Sequence, residues 1–266
     1  MTGYRKTHAE MTDTSRSPLR RYQQIVVGST SLGYTIKYEV LTGLLGGMPG
    51  AIGLLLRSKL YPPLFKSVGR GVVFGKDVTL RHPSKISIGD AVVVGDGVSL
   101  EARGDARSSI TIGNNVVIGE QVSIGCKYGV VRIGDYVNIS EGAHLRAIHG
   151  NTLEVGDYAL IAPFTYIGGV RYHTERTDIP IVQQGLDPRG GTRIGRGAWL
   201  GTRSIVLDGT SVGDDAIVGA GAIVNRDVPA FAVAVGVPAK VIRMRSRDDL
   251  ADTQGMLNGV AVSRHR

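Results

Sequence analysis

The 266-residue chain is poor in the features that announce several common protein classes: it has one cysteine (Cys126), one tryptophan and four phenylalanines. A single cysteine excludes an internal disulfide framework and suits a reducing compartment. No Cys/His cluster has metal-ligand spacing. There is neither a GxxxxGK[ST] run nor a GxGxxG following a strand to cradle nucleotide phosphates. No apolar run reaches the roughly 18–20 residues of a membrane span, and no apolar segment directly follows a charged start as a secretion signal requires. The 38 glycines carry no Gly-X-Y period, which excludes collagen. A cytoplasmic protein without a resident metal is therefore expected.

The formal charge of +8 is unevenly spread. Residues 1–66 hold nine Lys/Arg against three acids, residues 240–266 six against three, and residues 67–239 sixteen against seventeen. A nucleic-acid platform would carry its basic face, interleaved with aromatics, on the folded body. Here the body is close to neutral, so no nucleic-acid partner is expected. The excess lies at the ends, where a membrane surface or an anionic cosubstrate could use it.

What the chain does have is a period of six. Between Ile86 and Val224 an aliphatic residue, most often followed by Gly, recurs as Ile88-Gly89, Val94-Gly95, Ile112-Gly113, Ile118-Gly119 and onward to Val218-Gly219. Six matches neither the helical 3.6 nor a plain strand alternation, and it predicts a solenoid of very short strands joined by tight corners. The aliphatic side chains are expected to point inward, the following Gly to permit the bend, and Ala91, Val92, Val116, Val122 and Ala216 to fit a narrow interior.

The repeats group in threes: 88/94/100, 112/118/124, 133/139/145, 155/161/167, 194/200/206 and 212/218/224. Spacing within each triplet is six; between triplets it is twelve, nine, ten, twenty-seven and six. If one triplet makes one coil, all excess chain leaves from the same corner, with neighbouring coils stacking elsewhere. Phe74-Gly75 and Leu80 look like a partial coil before the six complete ones.

Residues 1–24 are polar and basic and predict a disordered tail. Residues 25–66 predict an amphipathic helical segment: one helix ends at Gly46-Gly47, and a second, from Ala51 to Tyr61, is stopped by Pro62-Pro63. This segment suits either a cap over the first coil or peripheral contact with the inner face of a membrane, its Arg57, Lys59 and Lys66 facing anionic headgroups. The repeat body spans 67–228, and 229–266 forms a C-terminal cap and tail.

One long excursion, 168–193, interrupts the repeat. A polar loop of this length usually serves function or assembly. It carries His173, Glu175, Asp178, Gln183 and Gln184 among Arg171, Arg176, Arg189 and Arg193. Imidazole titrates near neutrality and can accept or donate at either nitrogen, so His173 is the candidate base.

Three stretches go beyond the generic repeat: Ile161-Ala162-Pro163 running to His173; Ile194-Gly195-Arg196-Gly197-Ala198-Trp199-Leu200-Gly201; and Ala220-Gly221-Ala222-Ile223-Val224 running to Val235-Gly236-Val237-Pro238-Ala239-Lys240-Val241-Ile242-Arg243. With them, roughly from Pro83 to Arg243, the chain resembles the hexapeptide-repeat acyltransferases. The nearest branch is that of the sugar and polysaccharide O-acetyltransferases, which includes galactoside, maltose and nodulation-factor acetyltransferases.

The resemblance implies an all-β solenoid, a left-handed parallel β-helix with an N-terminal helical segment and a C-terminal cap. It implies a homotrimer with sites between neighbouring solenoids, and acetyl-CoA as acyl donor with no metal. It implies His173 as the base that deprotonates an acceptor hydroxyl of a sugar, polysaccharide or glycan precursor during direct attack on the thioester. The galactoside-type enzymes have an Asn near the place of Gly142, and none stands there; Glu141 is the residue expected to orient the base or stabilise its charge. His144, His149, Arg171, Tyr172 and Glu175 are candidates for acceptor contact. Trp199, Gly201, Ser204, Gly219 and Ala220 are candidates for the pantetheine groove, and Lys240 and Arg243 for the CoA phosphates.

The alternative reading is N-acetylation of an amino sugar or transfer of another acyl group. Further away stand a non-catalytic scaffold and a metal-dependent lyase built on three convergent histidines.

Overall fold

The computed structural model describes residues 17–246. Within them the chain winds through three parallel sheets in fixed rotation, each turn adding one strand to each sheet. Seven coils result: 67–81, 86–103, 109–127, 130–148, 152–169, 191–207 and 211–224. The first is a full turn, with Val68, Phe74 and Leu80 in register with Ile88, Val94 and Leu100. The sequence suggested only a partial one because this coil has Arg-His-Pro-Ser at its end in place of the usual repeat.

Register follows the interior. Ile88, Ile112, Ile133, Val155, Ile194 and Val212 stand one above the next on the first sheet, all buried. A one-residue slip in any coil would turn such a side chain outward, so the six-residue pattern specifies the stacking. Val92, Val116, Val122 and Ala216 fill the interior as expected. Ala91 does not; it is exposed, at a corner with φ of 55°.

The glycine after most of the aliphatic repeat residues does a different job from the one expected of it; Gly168, with φ of 88°, is an exception. Gly89, Gly95, Gly113 and Gly119 lack positive φ, and the left-handed corner residue comes two positions later, at Ala91, Gly97, Asn115 and Gln121. A Cβ on Gly95 would stand 2.8 Å from the Gly119 carbonyl carbon and 2.9 Å from the Glu120 nitrogen. These glycines let successive coils approach, while the bend is made elsewhere. Beside them runs a ladder of Asx side chains. Asp90, Asn114, Asp135 and Asp157 each accept through Oδ1 from the backbone N–H of the coil before, at 2.7–2.8 Å.

The irregular spacings all fall between the third sheet and the next strand of the first. That common corner carries the excursion between Tyr166–Gly169 and Gly191–Ile194.

Among the described residues three α-helices precede the solenoid, α1 (Pro18–Tyr22), α2 (Leu32–Leu45) and α3 (Gly50–Leu60), with a π-helical turn, Gln23–Val27, after α1 and a 3-10 turn, Pro62–Leu64, after α3. Part of the stretch expected to be disordered is therefore helical, capped by Ser17, whose Oγ accepts from Arg20 N–H. Residues 1–16 of that expectation, and residues 247–266 of the C-terminal tail, lie outside the described residues. Tyr61, Phe65 and Phe74 close the first coil as an aromatic plug, with ring centroids 5.4–5.7 Å apart. At the other end Ala232–Val235 extends the second sheet and Lys240–Met244 returns antiparallel along its edge. No described helix is long and apolar enough to cross a membrane.

Candidate active site

The excursion is a braced structure. Arg171–Tyr172 pairs antiparallel with Leu186–Asp187, and α4 (Ile181–Gln184) closes the turn between them. Gln184 holds the tip, its Oε1 accepting from Arg176 N–H at 3.0 Å and its Nε2 donating to Arg176 O at 2.6 Å. Asn151, almost fully buried, clamps the base: its Nδ2 donates to Gly169 O at 3.4 Å, and its Oδ1 accepts from Gly190 N–H at 3.2 Å. One side chain thus ties both ends of the loop to the coil beneath.

His173 follows the short hairpin strand, its backbone N–H donating to Gly185 O at 3.1 Å and its ring half-exposed. Nδ1 lies 3.5 Å from Glu175 Oε2. A second carboxylate, Asp187, is bracketed by Arg171 at 3.2 Å and Arg189 at 3.0 Å. Local desolvation pushes its carboxyl up, but Arg189, His173 and Arg171 outweigh that and hold it below the usual carboxylate range. The charges facing the base are thus Glu175 and Asp187. Glu141, expected in that role, is exposed at a corner of the preceding coil, where its carbonyl accepts from Phe164 N–H. A Cβ at Gly142 would sit 2.5 Å from the Phe164 ring.

His144 and His149 belong to that preceding coil. The strand His144–Ile148 pairs with Tyr166–Gly169, which runs straight into the excursion, and His144 lies in register with Tyr166. Burial and Arg146 lower the pKa of His144; burial and Lys127 lower that of His149. Both shifts favour the neutral ring, which can donate and accept a hydrogen bond. Arg171, Tyr172 and Glu175 are exposed on the excursion with His173. Among the described residues of one chain no three His, Cys, Asp or Glu side chains converge as a metal site.

The residues expected to hold CoA gather elsewhere. Trp199 stands on the outer face of the second sheet between Leu160 and Ile217 and is 47 % exposed, so it is no core packing residue. Gly201, Gly219 and Ala220 follow at the corner between second and third sheets. Gly201 is a stacking glycine, since a Cβ would meet Ala220 N at 2.6 Å. Ser204 corrects the expectation outright: it is fully buried, its Oγ inside the solenoid and out of reach of any groove ligand. Lys240 and Arg243 lie exposed on the returning edge strand. Within one chain this group and His173 occupy opposite ends of the third face.

Asn151 and Asp187 are site residues that sequence reasoning overlooked. Asp187 had a faint signal in Arg189 two residues on; Asn151 had none. A separate polar cavity of about 390 Å³, lined by Thr152, Glu154, Arg189, Thr192, Arg193 and Asp227 among others, opens on the first face, and His173 does not line it.

Comparison with known proteins agrees with this architecture. Residues 191–226 match the bacterial transferase hexapeptide (six repeats) model. A probable acetyltransferase of Mycobacterium tuberculosis, Rv3034c, is 32 % identical over 195 residues, covering 72 % of this chain and 55 % of that protein. The galactoside O-acetyltransferase of Escherichia coli K12 is 31 % identical over 114 residues, covering 40 % of this chain and 51 % of that protein. The chain spans about half the length of the curated relatives it matches. Among solved structures, a mutant of AntD, an N-acyltransferase from Bacillus cereus in complex with dTDP and coenzyme A, superposes with a TM-score of 0.50 at 22 % identity, covering 73 % of this chain and 91 % of that one, a likeness of fold. A six-residue repeat wound into three stacked sheets, with its one long loop thrown from a single corner, is the architecture these comparisons share: the chain carries the bacterial transferase hexapeptide repeat and is similar to acyltransferases built on it.

Proposed function

We propose that the protein transfers an acyl group from an acyl-CoA to a sugar-type acceptor, with His173 as general base. The observation that carries this reading is the braced excursion, which presents one imidazole, with Glu175 at 3.5 Å, on an otherwise compact solenoid. Nε2 takes the proton of the acceptor as its oxygen or nitrogen bonds to the thioester carbonyl carbon. The carbon–sulfur bond then breaks, and the imidazolium returns its proton to the departing thiolate. Glu175 and Asp187 stabilise the transient positive ring.

The acceptor atom is the finer question. A sugar hydroxyl receiving acetyl is supported by the galactoside O-acetyltransferase, which matches 40 % of the chain. An amine acceptor, or a different acyl group, gains support from the likeness of fold to AntD, an N-acyltransferase, at a TM-score of 0.50. We place the second reading ahead of the first.

The separation of His173 from the Trp199–Ala220 group supports a site shared between chains. The third-face strand that leads into the excursion, Tyr166–Gly169, is about 13 Å long at roughly 3.3 Å per residue, more than one imidazole side chain spans. A cyclic homotrimer in which His173 of one chain meets the Trp199 edge of the next closes that gap.

The test is turnover, with thiol release followed for acetyl-CoA and longer acyl-CoAs against sugars and amino sugars, and product mass locating the new bond. His173→Ala is expected to lower kcat by about 10²-fold or more. Full activity in that variant would remove the mechanism, and no turnover with any acyl-CoA would favour a scaffold.

A further inference from the structure

The N-terminal helices turn one face to the solenoid and leave the other bare. On the inner face of α2, Thr35, Tyr38 and Leu45 are buried, and the Tyr38 hydroxyl donates to Leu80 O at 2.6 Å. α3 is pinned by Arg57, which is buried and donates to Phe74 O at 3.0 Å, Leu45 O at 2.8 Å and Met48 O at 2.7 Å. The helices are therefore held in place before any partner arrives.

On the opposite arc of α2, Leu32, Ile36, Val40 and Leu44 recur at every fourth residue, from 48 % exposed at Val40 to 69 % at Leu44. Ile52, 70 % exposed, and Leu55 face outward from α3. A helix apolar on two sides is found where both are covered, and an apolar patch rimmed by polar residues marks an interaction surface.

Charge identifies what covers it. Over residues 17–66, Arg20, Lys37, Lys59 and Lys66 are exposed cations. The one acid in that stretch, Glu39, accepts from the Tyr22 hydroxyl. A second copy docking by this face would set the same cations against each other. An anionic lipid surface would take the apolar arc into its acyl boundary and the cations among its headgroups. Neither helix is long enough to span, so the geometry of contact is in-plane.

We propose that the outer face of α2 and α3 docks the protein on an anionic lipid bilayer. Docking would bring the solenoid to acceptors held at a membrane, and it stands independently of the acyl-transfer reading. The full chain is tested by flotation with phosphatidylcholine vesicles, alone or mixed with phosphatidylglycerol, and its mass in solution is followed by light scattering. Co-flotation with the mixed vesicles is expected, weakened by salt as screened charge requires. Ile36→Ser/Leu44→Ser is expected to lower the partition coefficient about tenfold or more with the melting temperature and mass unchanged. Val117→Ser, on the outer face of the second sheet, is expected to leave it unchanged.

No flotation with mixed vesicles, or equal binding to neutral ones, overturns the proposal. So does a Val117→Ser variant that binds as poorly as the double variant. A double variant that changes the mass of the protein while still floating assigns the face to a second copy, and equally overturns it.

Discussion

Replacing Gly95 by Ala separates two explanations of the repeat glycines. If they make the bend, the cost lies in φ; if they let coils approach, it lies in the coil above. At Gly95 the added Cβ meets three backbone atoms, the Gly119 carbonyl carbon, Glu120 N and Ile118 O, at 2.8–2.9 Å, and none can rotate away. Overpacking of this kind costs about 1–3 kcal/mol. Relief requires the coils to separate, stretching the Gly95 N–H bond to Ile118 O, now 2.8 Å, and each ladder bond weakened forfeits about 1 kcal/mol.

Gly221 is the complementary case, with φ of 67° and nothing within 4 Å of an added Cβ. Its alanine variant faces about 1–2 kcal/mol of left-handed strain, partly offset by about 0.4–1 kcal/mol of lost unfolded-state freedom. Thirteen non-glycine residues among those described adopt positive φ, including Tyr136, Tyr158 and Phe231 at corners, so the fold tolerates such strain. The unfolded-state gain is common to both variants and cancels, so denaturant unfolding of the two side by side, followed by circular dichroism, is expected to find Gly95→Ala the less stable by about 1–2 kcal/mol. A Gly221→Ala variant as damaged as Gly95→Ala, or more so, would refute the stacking argument and restore the bend.

Two further predictions concern the ends and the assembly. Burial, and secondarily Lys85, lower His82 from its ordinary value of 6.5 to about 4; its Nε2 is 2.9 Å from Gln24 O, joining the N-terminal segment to the first coil. The unfolded chain takes up this proton near pH 6.5 and the folded chain only near 4, so stability is full above 6.5, falls between the two values by up to about 3 kcal/mol, and levels below. Urea unfolding at pH 7.5, 5.5 and 4 is expected to show this slope and His82→Asn to flatten it; the same slope in both would rule out His82 as its source. For the shared site, His173→Ala and a groove-blocking Ala220→Trp, each inactive alone, are expected to regain about a quarter of wild-type activity when co-assembled at random in trimers. No recovery in verified mixed trimers would place the whole site within one chain.

What the residue order alone determined was whatever repeats. Ile88, Ile112, Ile133 and their successors recur because a narrow interior accepts an aliphatic side chain only at matched positions, and that demand is written locally in every coil. The corner of the insertions and the imidazole they carry were legible for the same reason, as interruptions of a period. Contacts between coils were not: which residue bends the chain and which admits its neighbour depends on the next turn, eighteen or more residues away. Asn151 clamps Gly169 and Gly190 only once the loop has closed over it. Ser204 looks like a groove residue until the pleat turns its hydroxyl inward, and Glu175 is seen within 3.5 Å of His173 only once the hairpin has formed. These are choices of direction and distance, set by how backbones stack, and spacing along the chain carries no record of them.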